Sequence, residues 1–264
     1  MNYQGKIIWI TGASSGIGEA LVYLFCKQKA KIIISARRII ELERVKNNCG
    51  ENSENIIIAP FDLLDTKKIQ ETADSLIKKF NKIDLLINNG GISQRSMIEE
   101  TPLENDRKIM EVNYFSSVAL TKSVLPSMIK QKSGHIVVVS SVVGKFGFPL
   151  RSAYSASKHA LQGFFETARL ELKQKNINVT IVIPGRVNTN ISKNALSSNG
   201  KPYGKMDIGQ KHGIPVESCA KKIIKAIDKN KKEVNIGGKE IFMVHLRRFF
   251  PSLFEKIALK VKPT

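Results

Sequence analysis

Tyr154 and Lys158 stand four residues apart, a separation that places a phenol and an ammonium on one face of a helix. A free phenol titrates near pH ~10, and an adjacent cation favours its ionised form, so such a pair eases proton exchange near neutrality. Ser141, 13 residues before Tyr154, follows an apolar run and offers a hydroxyl, and Asn113 in Glu111-Val112-Asn113-Tyr114 offers an amide. Alone, each has a simpler role: a surface pair on a helix, a helix cap, a satisfied core amide. Together they match the needs of carbonyl reduction, which takes a hydride donor, an acid for the developing alkoxide and a donor that fixes the carbonyl oxygen.

A second group lies near the start of the chain. Thr11-Gly12-Ala13-Ser14-Ser15-Gly16-Ile17-Gly18 follows an apolar run and leads into a helical pattern. Glycines there let the backbone turn sharply, let a pyrophosphate approach the helix N-terminus and let helix and strand pack closely. Their spacing, at 12, 16 and 18, differs from the G-x-G-x-x-G dinucleotide fingerprint. After the next apolar run, where NAD-binding proteins carry an acidic residue for the ribose 2′-hydroxyl, the chain reads Ser35-Ala36-Arg37-Arg38. Two guanidiniums in that place suit a 2′-phosphate, so NADP(H) is expected in preference to NAD(H).

Positioning these groups calls for alternating strands and helices. Short apolar runs predict strands at Lys6–Ile10, Lys31–Ser35, Asn55–Ala59, Ile83–Ile87, His135–Ser140, Ile177–Ile183 and Glu233–Ile236. Amphipathic stretches predict helices at Gly16–Lys29, Ile39–Asn48, Thr66–Phe80, Leu103–Lys130, Ser152–Gln174 and Val216–Asn230. The alternation predicts an α/β fold, a Rossmann-type doubly wound parallel sheet of seven strands, in a single domain with a C-terminal helical extension. The main body is expected over residues 1–238 and the extension over 239–264, and 264 residues, 42% of them hydrophobic, suffice for one such domain.

The net charge of +19 is diffuse. Without a recognition helix, zinc-ligand spacing or aromatic RNA platform it does not indicate nucleic acid, and no metal site is expected. Cys26, Cys49 and Cys219 form no C-x-x-C pair and fit a reduced, cytoplasmic setting. Met1 runs directly into a strand pattern, and no stretch approaches the ~18 apolar residues of a membrane span.

The T-G-x-x-x-G-x-G run from Thr11 to Gly18, with Asn88-Asn89-Gly90-Gly91, Asn113, Ser141, Tyr154-x-x-x-Lys158 and Pro184-Gly185-Arg186-Val187-Asn188-Thr189, resembles the short-chain dehydrogenase/reductase family from residue 5 to about 238. Within it, the run from Arg151 to Ala160 and Asn89-Gly90-Gly91-Ile92-Ser93-Gln94-Arg95-Ser96 look like the orphan dehydrogenase/reductases grouped near the hydroxysteroid dehydrogenases. Steroids and retinoids are therefore one candidate substrate class. The resemblance implies an oxidoreductase that moves a hydride between NADP(H) and the carbonyl or secondary alcohol of an apolar substrate. It implies that NADPH gives the hydride, Tyr154 the proton, and that Ser141 orients the oxygen. Lys158 would tune Tyr154 and hold the nicotinamide ribose, and Asn113 would anchor a proton-relay water. Cofactor contacts are implied for Gly12, Ser14, Ser15, Gly16, Ile17 and Gly18, for Arg37 and Arg38, and for Asp62 and Leu63 near the adenine. Further contacts are implied for Asn88 and Gly90 behind the cofactor and for Pro184, Gly185, Val187 and Thr189 at the nicotinamide. The family usually has Ala where Gly90 stands. A homodimer or homotetramer is implied, through the helices at Leu103–Lys130 and Ser152–Gln174. The alternative is a catalytically silent NADP(H)-binding regulator on the same fold, against which the intact tetrad argues.

Two segments fall outside these motifs. The stretch Asn188–Gly213, polar and with four glycines, predicts a lid over the substrate, with Tyr203 and Met206 as apolar contacts beside Phe146 and Phe148. Beyond Lys239, Ile241, Val244, His245 and Phe249 recur at helical spacing before Pro251, and Leu253, Phe254, Ile257 and Val261 after it, among Arg247, Arg248, Lys256, Lys260 and Lys262. Two short amphipathic helices hinged at Pro251 are expected, either packed on protein or lying peripherally on an anionic membrane.

Overall fold

Isoleucine and valine dominate the apolar runs, and β-branched side chains covered on both faces favour the centre of a parallel sheet. In the computed structural model, which describes residues 2–261, these runs form β1 Ile7–Thr11, β2 Lys31–Ser35, β3 Ile56–Ile58, β4 Leu85–Asn88, β5 Gly134–Val139, β6 Ile177–Pro184 and β7 Glu233–Ile236. The strands pair in parallel in the order β3-β2-β1-β4-β5-β6-β7. Strand addition reverses direction between β3 and β4, so the carboxyl ends of β1 and β4 flank the crevice where such sheets bind ligands.

The helices are α1 Gly16–Cys26, α2 Ile39–Asn47, α3 Thr66–Phe80, α4 Leu103–Met110, α5 Ser116–Lys130, α6 Ser152–Leu172, α7 Ile208–Lys211, α8 Val216–Asp228, α9 Phe242–Phe249 and α10 Pro251–Ala258. Because successive strand side chains point to opposite faces, the sheet carries two cores. Ile8, Ile10, Ile32 and Ile34 pack with Leu21 and Phe25 of α1 and Ile223 of α8 on one side. Trp9, Ile33, Leu86 and Ile136 pack with Ile69 of α3, Leu120 of α5 and Phe165 of α6 on the other.

The helix expected over Leu103–Lys130 is divided. A π-helical turn, Glu111–Phe115, separates α4 from α5 and carries Asn113. Such turns widen a helix by one residue and concentrate at functional sites. Here the inserted residue lets the Asn113 amide bridge to the backbone of Ile92, accepting from its N–H at 2.8 Å and donating to its carbonyl at 2.9 Å.

The C-terminal segment forms two short helices, with Pro251 as the first residue of α10. Their inner side joins the core through Leu246, Phe254 and Ala258, and the rings of Phe146 and Phe254 lie 5.0 Å apart. Phe242, Phe249, Phe250 and Leu253 remain exposed on the outer side. Lys262 lies outside the described residues, among which no helix is long and apolar enough to cross a membrane.

Candidate active site

A cavity of about 960 Å³ opens at the crevice between β1 and β4 and extends to the N-terminal end of α6. One end is built by the loop before α1. Gly12 has φ +63°, and a Cβ there would lie 2.7 Å from the Gly90 Cα, so only glycine lets the two loops touch. A Cβ on Gly18 would collide with the Gly12 carbonyl, which packs α1 tightly under the loop. Asn89 ties the loops together, its Nδ2 donating to the Thr11 carbonyl at 3.0 Å, while Thr11 Oγ1 accepts from the Asn89 and Gly90 amides at 3.1 Å each. The α1 N-terminus has no side-chain cap. The first amides of a helix have no intrahelical partner, and Ser14, Ser15, Gly16 and Ile17 line the cavity at this end, a donor set that fits a pyrophosphate.

Ala36, Arg37, Arg38, Asp62 and Leu63 line the same end. Arg37 Nη1 lies 3.9 Å from Asp62, and both side chains are solvent-exposed. A Cβ on Gly90 would meet Leu63 Cδ1 at 2.6 Å, so the departure from the family's usual alanine goes with the room that Leu63 occupies. Pro184, Gly185, Val187 and Thr189 line the opposite wall. Behind them Glu240 Oε1 accepts from the Arg186 amide at 2.8 Å and the Gly238 amide at 3.0 Å. A Cβ on Gly185 would strike that carboxylate, so this glycine seats the C-terminal arm against the loop.

Ser141, Tyr154 and Lys158 meet on one wall of the cavity, with Phe146 and Phe148 beside them. Burial raises the Tyr154 phenol above its ordinary value, while the Ser141 hydroxyl and the Arg95 and Arg151 guanidiniums pull it back. Lys158 Nζ donates to the Val139 carbonyl at 2.8 Å and lies 5.7 Å from the Tyr154 ring centroid. Burial pushes its pKa down to about 8, which leaves it largely protonated at neutral pH.

Several expected residues lie off the wall. Asn113 is wholly buried behind Ile92, and its Nδ2 also donates to Ser157 Oγ at 2.9 Å. Asn88 donates to Thr121 Oγ1 at 3.0 Å beneath the site. Tyr203 and Met206, expected as substrate contacts, are absent from the cavity lining, to which the 188–213 segment sends Ile191, Leu196 and Pro202 instead. Local pairing holds Met206, whose sulfur accepts from Ser192 Oγ at 3.3 Å, and fixes the backbone at Tyr203, whose amide donates to the Ala195 carbonyl at 2.8 Å.

Sequence reasoning missed four supporting residues. Gln94 Oε1 accepts from the Ala153 and Tyr154 amides at 2.9 and 3.4 Å, capping α6 from a distant loop. Arg95 and Arg151 bind Asp207 in the interior. Arg95 and Arg151 stood inside quoted motifs, but nothing in the local pattern marked them as buried.

The profile of the short chain dehydrogenase family matches residues 6–200, and the chain belongs to that family. It is an oxidoreductase on a Rossmann-type fold. Its relatives include a dehydrogenase/reductase SDR family protein 7-like of Drosophila melanogaster, 42% identical over 261 residues that span 97% of this chain and 80% of the relative. Dehydrogenase/reductase SDR family member 7 of Homo sapiens is 40% identical over 252 residues, 93% of this chain and 74% of that one. Among solved structures, a short chain dehydrogenase/reductase from Burkholderia phymatum in complex with NAD has the same fold, with a TM-score of 0.85 and 22% identity over 100% of this chain and 98% of that one. An alcohol dehydrogenase from the archaeon Thermococcus sibiricus, complexed with 5-hydroxy-NADP, matches with a TM-score of 0.75 and 22% identity over 89% and 97%.

Proposed function

We propose that the protein is an NADP(H)-dependent oxidoreductase acting on the carbonyl or secondary alcohol of a small apolar molecule. The observation that carries this reading is the meeting of Ser141, Tyr154 and Lys158 on a cavity wall flanked by Phe146, Phe148 and Met243, with the uncapped α1 N-terminus at the other end. The bound nicotinamide supplies or accepts the hydride. Tyr154 holds the proton that a developing alkoxide takes, or accepts it in the reverse direction, and Ser141 fixes the substrate oxygen. Lys158, cationic at neutral pH, steadies the phenolate form and is placed to leave the Val139 carbonyl for a ribose hydroxyl. Asn113 anchors the proton path from behind, and Arg37 and Arg38 favour a 2′-phosphate. Ser14, Ser15, Gly16 and Ile17 hold the pyrophosphate, and Pro184, Gly185, Val187 and Thr189 the nicotinamide.

The same reading includes a cytoplasmic homodimer or homotetramer formed through α4, α5 and α6. It also includes peripheral contact of the outer side of α9 and α10 with an anionic membrane, supported by exposed Phe249, Phe250 and Leu253 among cations. The test of the chemistry is NADPH absorbance with a panel of ketones, aldehydes and quinones. Turnover is expected for the unmodified protein, and Tyr154→Phe is expected to lose ~10²–10⁴-fold while still binding NADPH. Binding without turnover on every compound would favour the silent regulator, and near-normal rates in the variant would sink the mechanism.

A further inference from the structure

Three charged groups from different parts of the chain meet and line the cavity that Tyr154 also lines: Arg95 from the segment after β4, Arg151 just ahead of α6, and Asp207 from the 188–213 segment. The Arg95 and Asp207 side chains are only 3% and 6% exposed. Arg95 Nε donates to the two Asp207 oxygens at 3.2 and 3.0 Å, Arg95 Nη1 donates to Ser93 Oγ at 2.9 Å, and Arg151 Nη2 donates to Asp207 Oδ2 at 3.0 Å. Two guanidiniums thus share one carboxylate, and the buried cluster keeps a net positive charge. Burying such charges is costly unless each finds partners, so removing the Asp207 carboxylate takes from both guanidiniums the charge they share.

The backbone continues the connection. The Leu196 amide donates to the Ser93 carbonyl and the Arg95 amide to the Leu196 carbonyl, each at 2.8 Å, while the Asp207 amide donates to Ser192 Oγ at 3.3 Å. With Gln94 capping α6, residues 93–95 touch both the lid and the helix that carries the phenol.

We infer that Arg95, Arg151 and Asp207 form a latch that holds the 188–213 segment against the body and, through its net positive charge, favours the ionised form of Tyr154. All three are positioning residues. The part concerning Tyr154 as proton donor rests on the function proposed above, but the latch itself is read without turnover. The charged groups near Tyr154 are Lys158 from α6, Arg151 just ahead of that helix and Arg95 from the segment after β4, with Asp207 paired to both guanidiniums; the loop after β5 brings the Ser141 hydroxyl. The sign follows. Removing the Asp207 charge takes away a counter-charge that both guanidiniums share, favours the phenolate and lowers the phenol's pKa; removing the Arg95 charge raises it.

The experiment uses the full chain with ¹³Cζ-labelled tyrosine, Tyr154→Phe identifying the Tyr154 signal, and hydrogen exchange over residues 193–204. Asp207→Asn is expected to speed exchange across the lid and to lower the Tyr154 midpoint by about one pH unit. Arg95→Gln is expected to speed exchange and raise the midpoint. The double variant Arg95→Gln/Asp207→Asn removes one charge of each sign, so it is expected to fold even where a single variant does not, with a loosened lid and a midpoint close to the unmodified protein's. Unchanged exchange in the double variant overturns the latch. A midpoint that stays put in both single variants, or that differs in the double variant as much as in Asp207→Asn, overturns the electrostatic role. Both readouts hold whether or not any carbonyl compound is turned over.

Discussion

Arg37 and Arg38 stand at the end of β2, and the loose 3.9 Å approach of Arg37 to Asp62 leaves both guanidiniums available to a phosphate. Replacing both with Ala is expected to weaken NADPH far more than NADH, by roughly 1.5–3 kcal/mol for each charge-assisted hydrogen bond lost. Fluorescence titration with the two nucleotides checks this, and equal affinities in the unmodified protein would count against selection by these residues. At this scale the sequence was most informative where chemistry is written in local spacing. Tyr154 and Lys158 share a helix face, and Gly12, Gly16 and Gly18 sit in one turn, so their neighbours in space are neighbours in the chain. Arg95 and Asp207 are 112 residues apart, and their pairing is a property of the folded interior. Tyr203 and Met206 lie outside the cavity lining for a related reason: the pattern of a segment does not say which of its apolar side chains face a cavity.

The elements show the same division. Seven strands and the helices between them were legible from the change of period, and Pro251 marked the break between α9 and α10 because proline is well tolerated in a helix's first turn. The π turn at Glu111–Phe115 was not legible, since one extra residue leaves the apolar face of α4 and α5 readable as a single helix. The pair α9 and α10 is amphipathic in an unusual sense, with Phe254 in the core and Phe249 and Phe250 in solvent. Deleting residues 247–264 removes Phe254 from its contact with Phe146, and loss of a buried Phe typically costs ~3–5 kcal/mol. The truncated protein should therefore unfold at lower denaturant, as circular dichroism would register. Flotation with anionic vesicles separates the remaining question: loss of vesicle binding on truncation supports a membrane role for the outer side, and vesicles that never bound the unmodified protein exclude it.

For the molecule as a whole, acid stability hinges in part on His135 in β5. Its Nε2 pairs with Thr180 Oγ1 at 2.8 Å, its Nδ1 has no partner among the described residues, and burial pushes its pKa down to about 4. An unfolded histidine takes its proton near pH ~6.5, so between that value and the folded one the unfolded chain binds more protons. Stability is expected to be fully present above about pH 6.5 and to fall as the pH drops toward 4, with a slope of at most ~1.4 kcal/mol per pH unit from this group. Urea midpoints at pH 7 and pH 5 measure it: His135→Gln should show a smaller drop between the two, and an equal drop would assign the acid sensitivity elsewhere.

The order of the sheet also governs what the protein can do in company. Its margins are β3 and β7, of only three and four residues, and Lys231 and Lys232 lead into the second. Margins so short offer another chain few free N–H and C=O groups, and the lysines beside β7 repel a second strand of the same sequence. With a net charge of +19 on every copy, strand-to-strand growth into fibres meets both a missing template and a shared charge.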